Sequence, residues 1–503
     1  MHLASLVEMV ESGFDDRVLL SDDDGPVTGV GLGRLVRAGA STLAGATSVV
    51  YVGENHPRLP VALLSAAWAG VAFVPVNYRL EDAQLNALIA RQPGALVLAD
   101  ARTAGRIAHR GDVRVFDDWL SGLPSDVPSV EPASDDDEVA VVLYTSGTTS
   151  EPKSALLRHR HLMAYLLGSV EFGGADPDEA ALVAVPPYHV AGVANMLSNL
   201  FAGRRLVYLS SFDAARWLDA VRREGVTNAM VVPTMLARIV DELAARGCDV
   251  ADVPTLRSLS YGGAKVSERV LRDALGSFPD VGFVNAYGLT ETASSIAVLG
   301  PEAHRAAVGS DDPLIRRRLS SAGQVLPMVE IEIRDEDDRV LPVGESGVIH
   351  LRGEQISGEY STGSLLDADG WFCTRDRGFL DDEGYLFIEG RVDDTIIRGG
   401  ENIAPAEIEA VLLAHPAVVE ACVVGVPDET WGQRIAAAVV VREGTSVGEG
   451  ELRDAVRITL RGSKTPEVIV FRDRLPHTET GKLLRRVVQL ELTESIDDER
   501  NDR

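Results

Sequence analysis

The amino-acid sequence predicts an α/β protein with two domains of unequal size. From about residue 49, short apolar strands alternate with helix-length amphipathic segments, which is typical of a parallel sheet covered by helices. Polar and apolar positions alternate between about residues 321 and 390, and the last section, about a hundred residues long, mixes both patterns. We therefore expect a large N-terminal domain, residues 1–391, of two α/β halves plus a β portion, and a small α+β C-terminal domain, residues 392–503.

The two α/β halves follow each other along the chain. In the first, "SVVYVGEN", "VAFVPVN" and "ALVLAD" predict strands, and "RLPVALLSAAWAG" and "LEDAQLNALIAR" predict helices. A linker rich in Pro, Ser and Asp, "SDVPSVEPASDDDEVA", interrupts this order before the second half repeats it from "ALVAVPPYHV" to "VGFVNAYGLTE". Because ligands of such folds bind beyond the carboxyl ends of the strands, we expect the site there.

The β portion and the C-terminal section have different patterns. "VEIEIRDEDD", "GVIHLRG" and "GYLFIEG" alternate between turns, which predicts antiparallel strands. In the C-terminal section, "PAEIEAVLLAHP" and "GELRDAVRITLRG" predict helices, while "EACVVGV", "RIAAAVVVRE" and "PEVIVFRDRLP" predict strands. The polar end, "ESIDDERNDR", is expected to fray.

Charge and composition exclude several classes of function. A net charge of −28 disfavours nucleic-acid and anionic-membrane surfaces, which reward Lys and Arg. Cys248, Cys373 and Cys422 lie far apart, so neither a disulfide framework nor a zinc site is indicated. No apolar stretch reaches the roughly 18 residues of a spanning helix, and the N-terminus does not resemble a signal peptide. We expect a cytoplasmic protein, for which peripheral membrane contact and a homodimer both stay open.

One loop is suited to binding an anion. "YTSGTTSEPKSA", Tyr144 to Ala155, can turn several backbone N–H groups and hydroxyls toward one phosphate, and Lys153 adds a positive charge. No glycine directly precedes Lys153, so the loop is not the Walker pattern. A solvated Ser/Thr turn explains the loop equally well when it is taken alone, and its companions decide between the two interpretations.

Seven stretches in order resemble the signatures of the adenylate-forming superfamily, in its acyl-CoA synthetase branch of fatty-acid and aryl CoA ligases. They are "YTSGTTSEPKSA", "PPYHVAG", "YGGAK", "NAYGLTET", "GWFCTRD", "GRVDDTIIRGGENIAPAEIE" and "PHTETGKLLRR". The resemblance implies that a carboxylic acid reacts with ATP to give acyl-AMP and pyrophosphate, and that coenzyme A then takes the acyl group and releases AMP. ATP, Mg²⁺, coenzyme A and a small carboxylic acid are the implied cofactors and partners.

The resemblance also implies roles around the phosphates of ATP. Glu291 matches a magnesium ligand, and Thr290 matches a contact to the α-phosphate. Mg²⁺ commonly uses one or two carboxylates together with substrate phosphates. The loop that would hold the β- and γ-phosphates contributes Thr145, Ser146, Gly147, Thr148, Thr149 and Lys153.

Further residues match the nucleoside site of the family. Tyr287 would stack on adenine, Asp376 would accept hydrogen bonds from the ribose hydroxyls, and Arg391 would assist it on the phosphate side. The small side chains of Gly262, Gly263 and Ala264 would let the backbone approach the purine edge.

The C-terminal domain carries the remaining implied machinery. Lys482 matches the mobile catalytic lysine, whose ammonium bridges the carboxylate and the α-phosphate. In this family the small domain rotates between the two half-reactions, and Asp393 matches the pivot. Gly399 and Gly400 would then line the tunnel for the pantetheine arm of coenzyme A.

The predicted acyl pocket contains no Arg, Lys or Asp, so a hydrophobic monocarboxylic acid is expected. Its residues are His189, Val190, Gly192, Met230, Val232, Ala286, Ala293 and Ser294, and His189 matches a gating position. The stretch from Gly347 to Gly390 is compact, which favours coenzyme A over the phosphopantetheine of a carrier protein as acceptor. The carrier-protein alternative stays open, and the sequence does not name the acid.

Three departures from the family pattern raise a second alternative, a catalytically impaired nucleotide- or acyl-binding member. Ser150 and Ser154 stand where the loop usually has glycines, and Arg375 replaces the glycine of the usual "TGD". A positive φ at Ser150 would cost about 1–3 kcal/mol. The "HRH" at His159 to His161 lacks a third metal ligand nearby, and "GVGLG" at Gly29 to Gly33 lacks the dinucleotide-binding spacing.

Overall fold

The computed structural model describes residues 1–22, 24–108, 111–126, 130–145, 152–399, 401–428, 430–460, 462–478 and 483–501. As predicted, a large N-terminal α/β domain is followed by a small C-terminal α+β domain. Among the described residues, no helix combines the length and apolar character needed to cross a membrane.

The first part of the chain alternates helices and strands. Its elements are α1 (Ala4–Gly13), β1 (Val18–Asp22), β2 (Gly25–Thr28), α2 (Gly29–Ser41), β3 (Ser48–Val52), α3 (Leu59–Ala69), β4 (Ala72–Pro75), α4 (Asp82–Ile89), β5 (Leu96–Ala99), α5 (Ala101–Ala104), β6 (Asp112–Val115), α6 (Phe116–Ser121), β7 (Val139–Thr145), β8 (Lys153–Arg158) and α7 (His159–Ser169). Strand β3 is buried along its whole length, as is typical of a parallel strand covered on both faces.

The second part continues the alternation and then turns antiparallel. Its elements are β9 (Ala180–Val183), α8 (Val190–Ala202), β10 (Arg205–Tyr208), α9 (Ala214–Arg223), β11 (Asn228–Val231), α10 (Pro233–Ala245), β12 (Ser258–Gly262), α11 (Glu268–Ser277), β13 (Gly282–Leu289), β14 (Ser294–Leu299), α12 (Pro301–Gly309), α13 (Pro313–Arg316), β15 (Gly323–Val325), β16 (Glu330–Arg334), β17 (Gly347–Arg352), β18 (Glu359–Tyr360), β19 (Gly363–Ser364), β20 (Phe372–Leu380) and β21 (Tyr385–Arg391). Short 3₁₀ helices cover Thr290–Thr292, Arg317–Ser320 and Val392–Asp394.

Two large sheets form the N-terminal domain. One has eight strands in the order β19-β18-β8-β7-β4-β3-β5-β6, and the other has thirteen in the order β16-β17-β20-β21-β15-β14-β13-β12-β11-β9-β10-β1-β2. The predicted β portion is therefore not a separate layer. Most of its strands extend the second parallel sheet across the antiparallel pair β13–β14, whereas β18 and β19 join the first sheet.

The C-terminal domain is a small sheet covered by helices. Its elements are β22 (Ile396–Arg398), β23 (Glu401–Ile403), α14 (Pro405–Ala414), β24 (Val418–Asp428), β25 (Gly432–Val441), α15 (Glu449–Thr459), a 3₁₀ turn at Gly462–Lys464, β26 (Val468–Arg472) and α16 (Arg485–Asn501). Strand β24 pairs antiparallel with β25, which pairs parallel with β26. Ile408 and Leu412 of α14 pack into the core of this sheet.

The polar end of the chain does not fray as expected, because it continues a helix. Helix α16 extends to Asn501 and includes the first eight residues of "ESIDDERNDR". Val488 and Leu492, four residues apart, are buried against Cys422 and Val424 of β24. The apolar stripe therefore lies upstream of the polar end, and the helix docks through it.

Candidate active site

Three residues predicted to bind the nucleoside meet in one buried cluster. Asp376 of β20 is paired in register with Arg391 at the end of β21, and the Arg391 Nε lies 3.3 Å from Asp376 Oδ1. The Tyr287 hydroxyl at the end of β13 donates to Asp376 Oδ2, while Arg391 Nη2 donates to the Thr374 carbonyl oxygen at 3.1 Å. Both oxygens of the Asp376 carboxylate are therefore engaged, one with Arg391 and the other with Tyr287.

Burial controls the protonation of this cluster. Asp376 is only 5 % exposed, and Arg391 supplies the compensating positive charge that a buried carboxylate needs. Burial, reinforced by the Asp376 charge, raises the pKa of Tyr287 well above its usual value. Tyr287 therefore acts as a hydrogen-bond donor at neutral pH and fixes the orientation of the carboxylate.

The glycines next to this cluster meet different structural requirements. Gly262 ends β12 opposite Ala286, and a Cβ at Gly262 would lie 2.2 Å from the Ala286 carbonyl oxygen. Gly263 has φ +85° and is exposed, and a Cβ there would meet only Val232 Cγ1, at 3.9 Å. Gly262 is thus required for close packing against β13, whereas the backbone at Gly263 is exposed with open space beside it.

A second polar group gathers around Tyr360, which sequence reasoning missed. The Tyr360 hydroxyl donates to Glu291 Oε1, and Lys153 Nζ lies 5.7 Å from the centroid of the Tyr360 ring. Thr145, paired in register with Lys153 across β7 and β8, also lies near the Tyr360 hydroxyl. Tyr360 therefore lies between the two ends of the predicted phosphate loop and the predicted magnesium ligand.

Backbone contacts hold Glu291 in place. It lies in the 3₁₀ helix Thr290–Thr292, and its carbonyl oxygen accepts from the N–H groups of Ser357, at 2.8 Å, and Gly358, at 3.0 Å. Among the described residues, no group of three or more His, Cys, Asp or Glu side chains could hold a metal by itself. A single carboxylate nevertheless fits Mg²⁺ if nucleotide phosphates and water complete the coordination.

Several predicted residues lie outside the described parts of the chain. They are Ser146, Gly147, Thr148, Thr149 and Ser150 of the phosphate loop, Gly400 of the predicted tunnel and Lys482. Ser154, the other departure in the loop, is described: it lies buried in β8, paired with Tyr144. The φ angle of Ser154 is not positive.

The predicted acyl residues surround the start of α8 and the turn after β13. His189 caps α8, and a Cβ at Gly192 would lie 2.3 Å from the Pro186 carbonyl oxygen. Burial lowers the pKa of His189 to about 4, and its Nε2 has no hydrogen-bond partner among the described residues. His189 is therefore a neutral side chain with one unused ring nitrogen.

Ala293 and Ser294 form a strained turn. Their φ angles are +55° and +137°, and Ala293 is fully buried in the core of the first half. Thr292 Oγ1 accepts from the Leu289 N–H and donates to Ser294 O, while Gln355 Nε2 donates to the carbonyl oxygens of Thr292 and Ser295. The remaining predicted acyl residues lie on β11, β13 and α8, or at the cap of α10: Val190, Met230, Val232 and Ala286.

The larger cavity lies next to these residues and not among them. It has a volume of about 320 Å³ and is lined by parts of both domains, including Pro186, Thr234, Arg79 and Arg238 of the N-terminal domain and His477 and Thr478 of the C-terminal domain. None of the eight predicted acyl residues, all of which are described, lines it. Gly192 instead lines a smaller neighbouring void with Met196 and Tyr208.

The cavity carries charges that the sequence analysis did not anticipate. Arg238, on α10, also lies over the Phe212 ring at 5.2 Å, and Arg79 lies over the Tyr78 ring at 5.3 Å. Neither arginine is inside a quoted motif, so no sequence signal singled them out. His477 and Thr478, the last described residues before Lys482 in the sequence, line this cavity from the C-terminal domain.

The predicted hinge makes an ion pair that links it to the nucleoside strand. Asp393 lies in the 3₁₀ helix Val392–Asp394, and its Oδ1 is 2.9 Å from Arg375 Nη2. Arg375 has φ +59°, which favours glycine, the residue the family has there. Beyond the hinge, Gly399 has φ +58°, and a Cβ there would lie 2.8 Å from the Trp431 ring.

Family models and known proteins match most of this chain. Residues 11–361 match the family model described as AMP-binding enzyme, and residues 407–482 match that of the AMP-binding enzyme C-terminal domain. The fatty acid–[acyl-carrier-protein] ligase ScoC of Streptomyces coeruleorubidus is 33% identical, covering 89% of this chain and 87% of that protein. The feruloyl-CoA synthase of an Amycolatopsis species is 34% identical, covering 87% of both chains.

A solved structure resembles the whole chain. ATP-bound MatB from Rhodopseudomonas palustris aligns with a TM-score of 0.86 at 26% identity, covering 98% of this chain and 99% of that one. The apo form of the same enzyme aligns over the same shares with a TM-score of 0.76. The two family models and these relatives show that the chain belongs to the AMP-binding enzymes of the adenylate-forming superfamily, in its branch of AMP-forming acid–thiol ligases.

Proposed function

We propose that this enzyme activates a hydrophobic monocarboxylic acid, fatty or aryl, as its acyl-AMP and transfers the acyl group to coenzyme A. The observation that carries the proposal is a pair of neighbouring polar groups, since Arg391 of the first lies near enough to Tyr360 of the second to oppose the rise that burial causes in its pKa. One comprises Tyr287, Asp376 and Arg391, which suit a ribose, and the other joins Glu291, Tyr360 and Lys153, which suit a magnesium-bound polyphosphate.

In the first half-reaction, a carboxylate oxygen of the acid attacks the α-phosphorus of ATP, and the bond from that phosphorus to the pyrophosphate oxygen breaks. The two anions can approach only if their charge is offset. Lys153 and a Mg²⁺ ion held by Glu291 would offset the charge of the leaving pyrophosphate, and Thr290 would contact the α-phosphate. Asp376, oriented by Tyr287, would hold the ribose so that the α-phosphorus faces the acid.

We assign the catalytic lysine role to Lys482. Its support is the match of Lys482 to the family motif, together with the position of His477 and Thr478, which line the cavity that residues of the N-terminal domain also line. The ammonium would bridge the carboxylate and the α-phosphate as negative charge moves to the pyrophosphate. Lys482→Ala should abolish acid-dependent exchange of pyrophosphate into ATP, yet still convert supplied acyl-AMP to the thioester. Equal loss of both reactions would contradict this role.

In the second half-reaction, the thiolate of coenzyme A attacks the acyl carbonyl carbon, and AMP leaves. The cavity at the domain boundary supports a polyanionic acceptor, because Arg79 and Arg238 both line it. Gly399 would line the path of the pantetheine arm, together with Gly400. A carrier-protein phosphopantetheine is the second candidate acceptor, and the resemblance to ScoC favours keeping it.

A panel of acids and acceptors tests the proposal. AMP release would be measured for straight-chain, aryl and dicarboxylic acids, each with coenzyme A or with a phosphopantetheinylated carrier protein. We expect coenzyme A-dependent AMP release with a hydrophobic monocarboxylic acid. Preference for a dicarboxylic acid would instead assign one cavity arginine to the second carboxylate, and turnover with the carrier protein alone would make the enzyme a carrier-protein ligase.

The impaired-member alternative has its own outcome in this panel. Arg375 stands at a glycine position, and Ser154 departs from the loop pattern. If no acid supports AMP release while ATP still binds, the chain is a binding protein that has lost catalysis. In that case Arg375→Gly should also show no AMP release with any acid of the panel. Recovery of AMP release in Arg375→Gly would mean that Arg375 alone causes the loss.

A further inference from the structure

Arg485, at the start of α16, takes no part in the reaction steps described above, yet it makes several contacts within the small domain. It follows Lys482 by three residues in the sequence, and only 21 % of its side chain is exposed. Its guanidinium binds both carboxylate oxygens of Glu409 on α14, with Nη2 3.1 Å from Oε2. Nη1 also donates to the Val423 carbonyl oxygen of β24 at 2.5 Å. Arg485 therefore fixes the start of α16 to two other elements of the small domain.

A further contact of Arg485 reaches the hinge. Its Nε lies 3.3 Å from Oδ2 of Asp394, the last residue of the 3₁₀ helix Val392–Asp394. The preceding carboxylate, Asp393, is instead 2.9 Å from Arg375 of the N-terminal domain. Two consecutive acidic residues are thus each paired with an arginine, the first with one from the large domain and the second with one from the small domain. The contacts therefore assign Asp394 to the small domain and leave Asp393 at the boundary.

The residues on either side of the lysine segment, defined as residues 479–482, are paired with each other. His477 and Leu483 form an antiparallel bridge. The Leu484 N–H donates to the Pro476 carbonyl oxygen at 2.9 Å. The segment therefore begins and ends at residues with fixed partners, and Arg485 follows directly after the second of these contacts.

The contacts of Arg485 require a guanidinium. A guanidinium presents five N–H donors in a planar fork, so it can bind one carboxylate with two nitrogens and reach a second carboxylate with its Nε. A lysine ammonium is a single point of charge and could not hold Glu409 and Asp394 in the same way. The Glu409 side chain is only 13 % exposed, so complete loss of the positive charge would leave a buried carboxylate without compensation.

We propose that Arg485 is a positioning residue for adenylation, which holds Asp394, helix α14 and the base of the lysine segment together as one unit. When the small domain closes, this unit brings the Lys482 ammonium to the α-phosphate, and when the domain turns, the unit leaves as a whole, with the turn confined to Asp393. Arg485 contacts no substrate and acts through Lys482. The inference rests on the proposed function, because Arg485 has this task only if Lys482 serves adenylation.

The kinetics of the two half-reactions test the proposal. Arg485→Lys keeps the positive charge beside Glu409 but cannot also hold Asp394. We expect kcat for acid-dependent exchange of pyrophosphate into ATP to fall about 10- to 100-fold, because a displacement of about 1 Å can cost a hundredfold in rate. KM for ATP and the conversion of supplied acyl-AMP to thioester should both stay within about threefold of the unaltered enzyme, since neither uses Lys482 in the chemical step.

A second variant and a control complete the kinetic test. Asp394→Asn removes only the hinge contact and leaves the Arg485–Glu409 pair, so it should fold even if Arg485→Lys does not, and its exchange rate should fall at least about fivefold. Arg486→Lys makes the same change at the exposed neighbouring residue and should exchange at the unaltered rate. Unchanged exchange in Asp394→Asn and Arg485→Lys, or equal loss of exchange and thioester formation in Arg485→Lys, would overturn the proposal.

Labelling of Lys482 distinguishes failure of this inference from failure of the proposed function. The full chain is treated with acetic anhydride, with or without ATP and Mg²⁺, and acetylation of each lysine is followed by peptide mass spectrometry. We expect ATP to slow acetylation of Lys482 at least about fivefold in the unaltered protein and less than about twofold in Arg485→Lys. Lys464, which pairs with Glu407, is the internal reference and should react alike in both.

Each result of the labelling has one meaning. Equal protection of Lys482 in the unaltered protein and in Arg485→Lys would contradict the positioning role, and so would the absence of protection in the unaltered protein. If no acid supports pyrophosphate exchange while ATP protects Lys482 only when Arg485 is present, the proposed reaction is wrong, but Arg485 still positions Lys482 at the nucleotide.

Discussion

Arg375 combines a backbone conformation that favours glycine with an ion pair that only a long cation can make. A non-glycine residue with φ near +60° costs about 1–2 kcal/mol. The Arg375–Asp393 pair is largely exposed and returns roughly 0–1 kcal/mol. Arg375 therefore keeps a modest net backbone strain within β20, the strand that carries Asp376.

Substitutions at Arg375 should separate backbone strain from the ion pair. Arg375→Gly relieves the strain but loses the pair and adds unfolded-state entropy, so the midpoint of urea denaturation should change little. Arg375→Val keeps the strain, adds a β-branched side chain and should cost about 1–3 kcal/mol. If both variants unfold at the same urea concentration, the positive φ is not a source of strain.

The Tyr287 hydroxyl should act by orienting Asp376. Tyr287→Phe removes the hydrogen bond but keeps the ring, so the carboxylate should lose its fixed position against the ribose. We expect KM for ATP to rise about 5- to 20-fold, the equivalent of roughly 1–2 kcal/mol, with kcat much less affected. Steady-state kinetics with varied ATP would measure this. A fall in kcat at unchanged KM would place Tyr287 in the chemical step instead.

The sequence motifs predicted which residues would form the cluster around Asp376 better than which would line the cavity. Tyr287, Asp376 and Arg391 belong to short motifs whose strands become neighbours, and they meet as expected. Tyr360, Arg79 and Arg238 carry no motif of their own. Their positions depend on pairing between distant strands and on contact between the domains, which local residue patterns do not encode.

At the scale of elements, helix α7 begins with two buried histidines that have to stay neutral. His159 Nδ1 accepts from the Leu3 N–H at 3.4 Å, and His161 Nδ1 accepts from the Arg158 N–H at 3.2 Å. Burial lowers the pKa of His159 to about 3 and that of His161 to about 4. The "HRH" sequence is therefore a packing and capping feature at the start of α7.

These histidines should make the protein acid-sensitive. Their folded pKa values lie below the unfolded value near 6.5, so below that pH the unfolded chain binds more protons and stability falls. Each can contribute a slope of up to about 1.4 kcal/mol per pH unit between pH 6.5 and about 4. His159→Asn, which keeps an acceptor without a titrating ring, should flatten urea midpoints measured against pH. An unchanged slope would show that His159 is already protonated or exposed.

Element types were predicted more successfully than their partners. The strand "SVVYVGEN" and the helix "RLPVALLSAAWAG" appear as β3 and α3, because local hydrophobic patterns determine both. The extension of the second sheet through β15, β21, β20, β17 and β16 was not predicted, since register between distant strands leaves little local signal. The sequence "ESIDDERNDR" predicts a frayed end because it is strongly charged, whereas the apolar residues that dock α16 lie upstream of it.

At the scale of the whole molecule, the chain aligns with the ATP-bound form of one relative at a TM-score of 0.86 and with its apo form at 0.76. His477 and Thr478 of the small domain line the cavity together with residues of the N-terminal domain. We expect this arrangement to be the one that serves adenylation. Thioester formation would then require the small domain to turn about Val392–Asp394. The Arg375–Asp393 ion pair spans this junction, and its 2.9 Å contact would change if the small domain turned.

Stiffening the junction should block one half-reaction and spare the other. Asp393→Pro fixes φ at the second residue of the 3₁₀ helix, in the first turn, where N–H groups lack partners within the helix, so the closed form should still fold. We expect acid-dependent pyrophosphate exchange to continue within about threefold of the unaltered enzyme, while thioester formation falls at least about a hundredfold, because rotation needs a backbone change there.

Asp393→Ala is the matched control, since it removes the same carboxylate and the ion pair but leaves φ unrestricted. It should retain both half-reactions, because an exposed pair contributes little to either state. If Asp393→Ala also loses thioester formation, the cause is loss of the ion pair with Arg375 and not restriction of the backbone. Normal overall turnover in Asp393→Pro would mean that the small domain turns about another position. Gly390 would then be the next residue to restrict, because its φ of +150° is one that residues other than glycine rarely adopt.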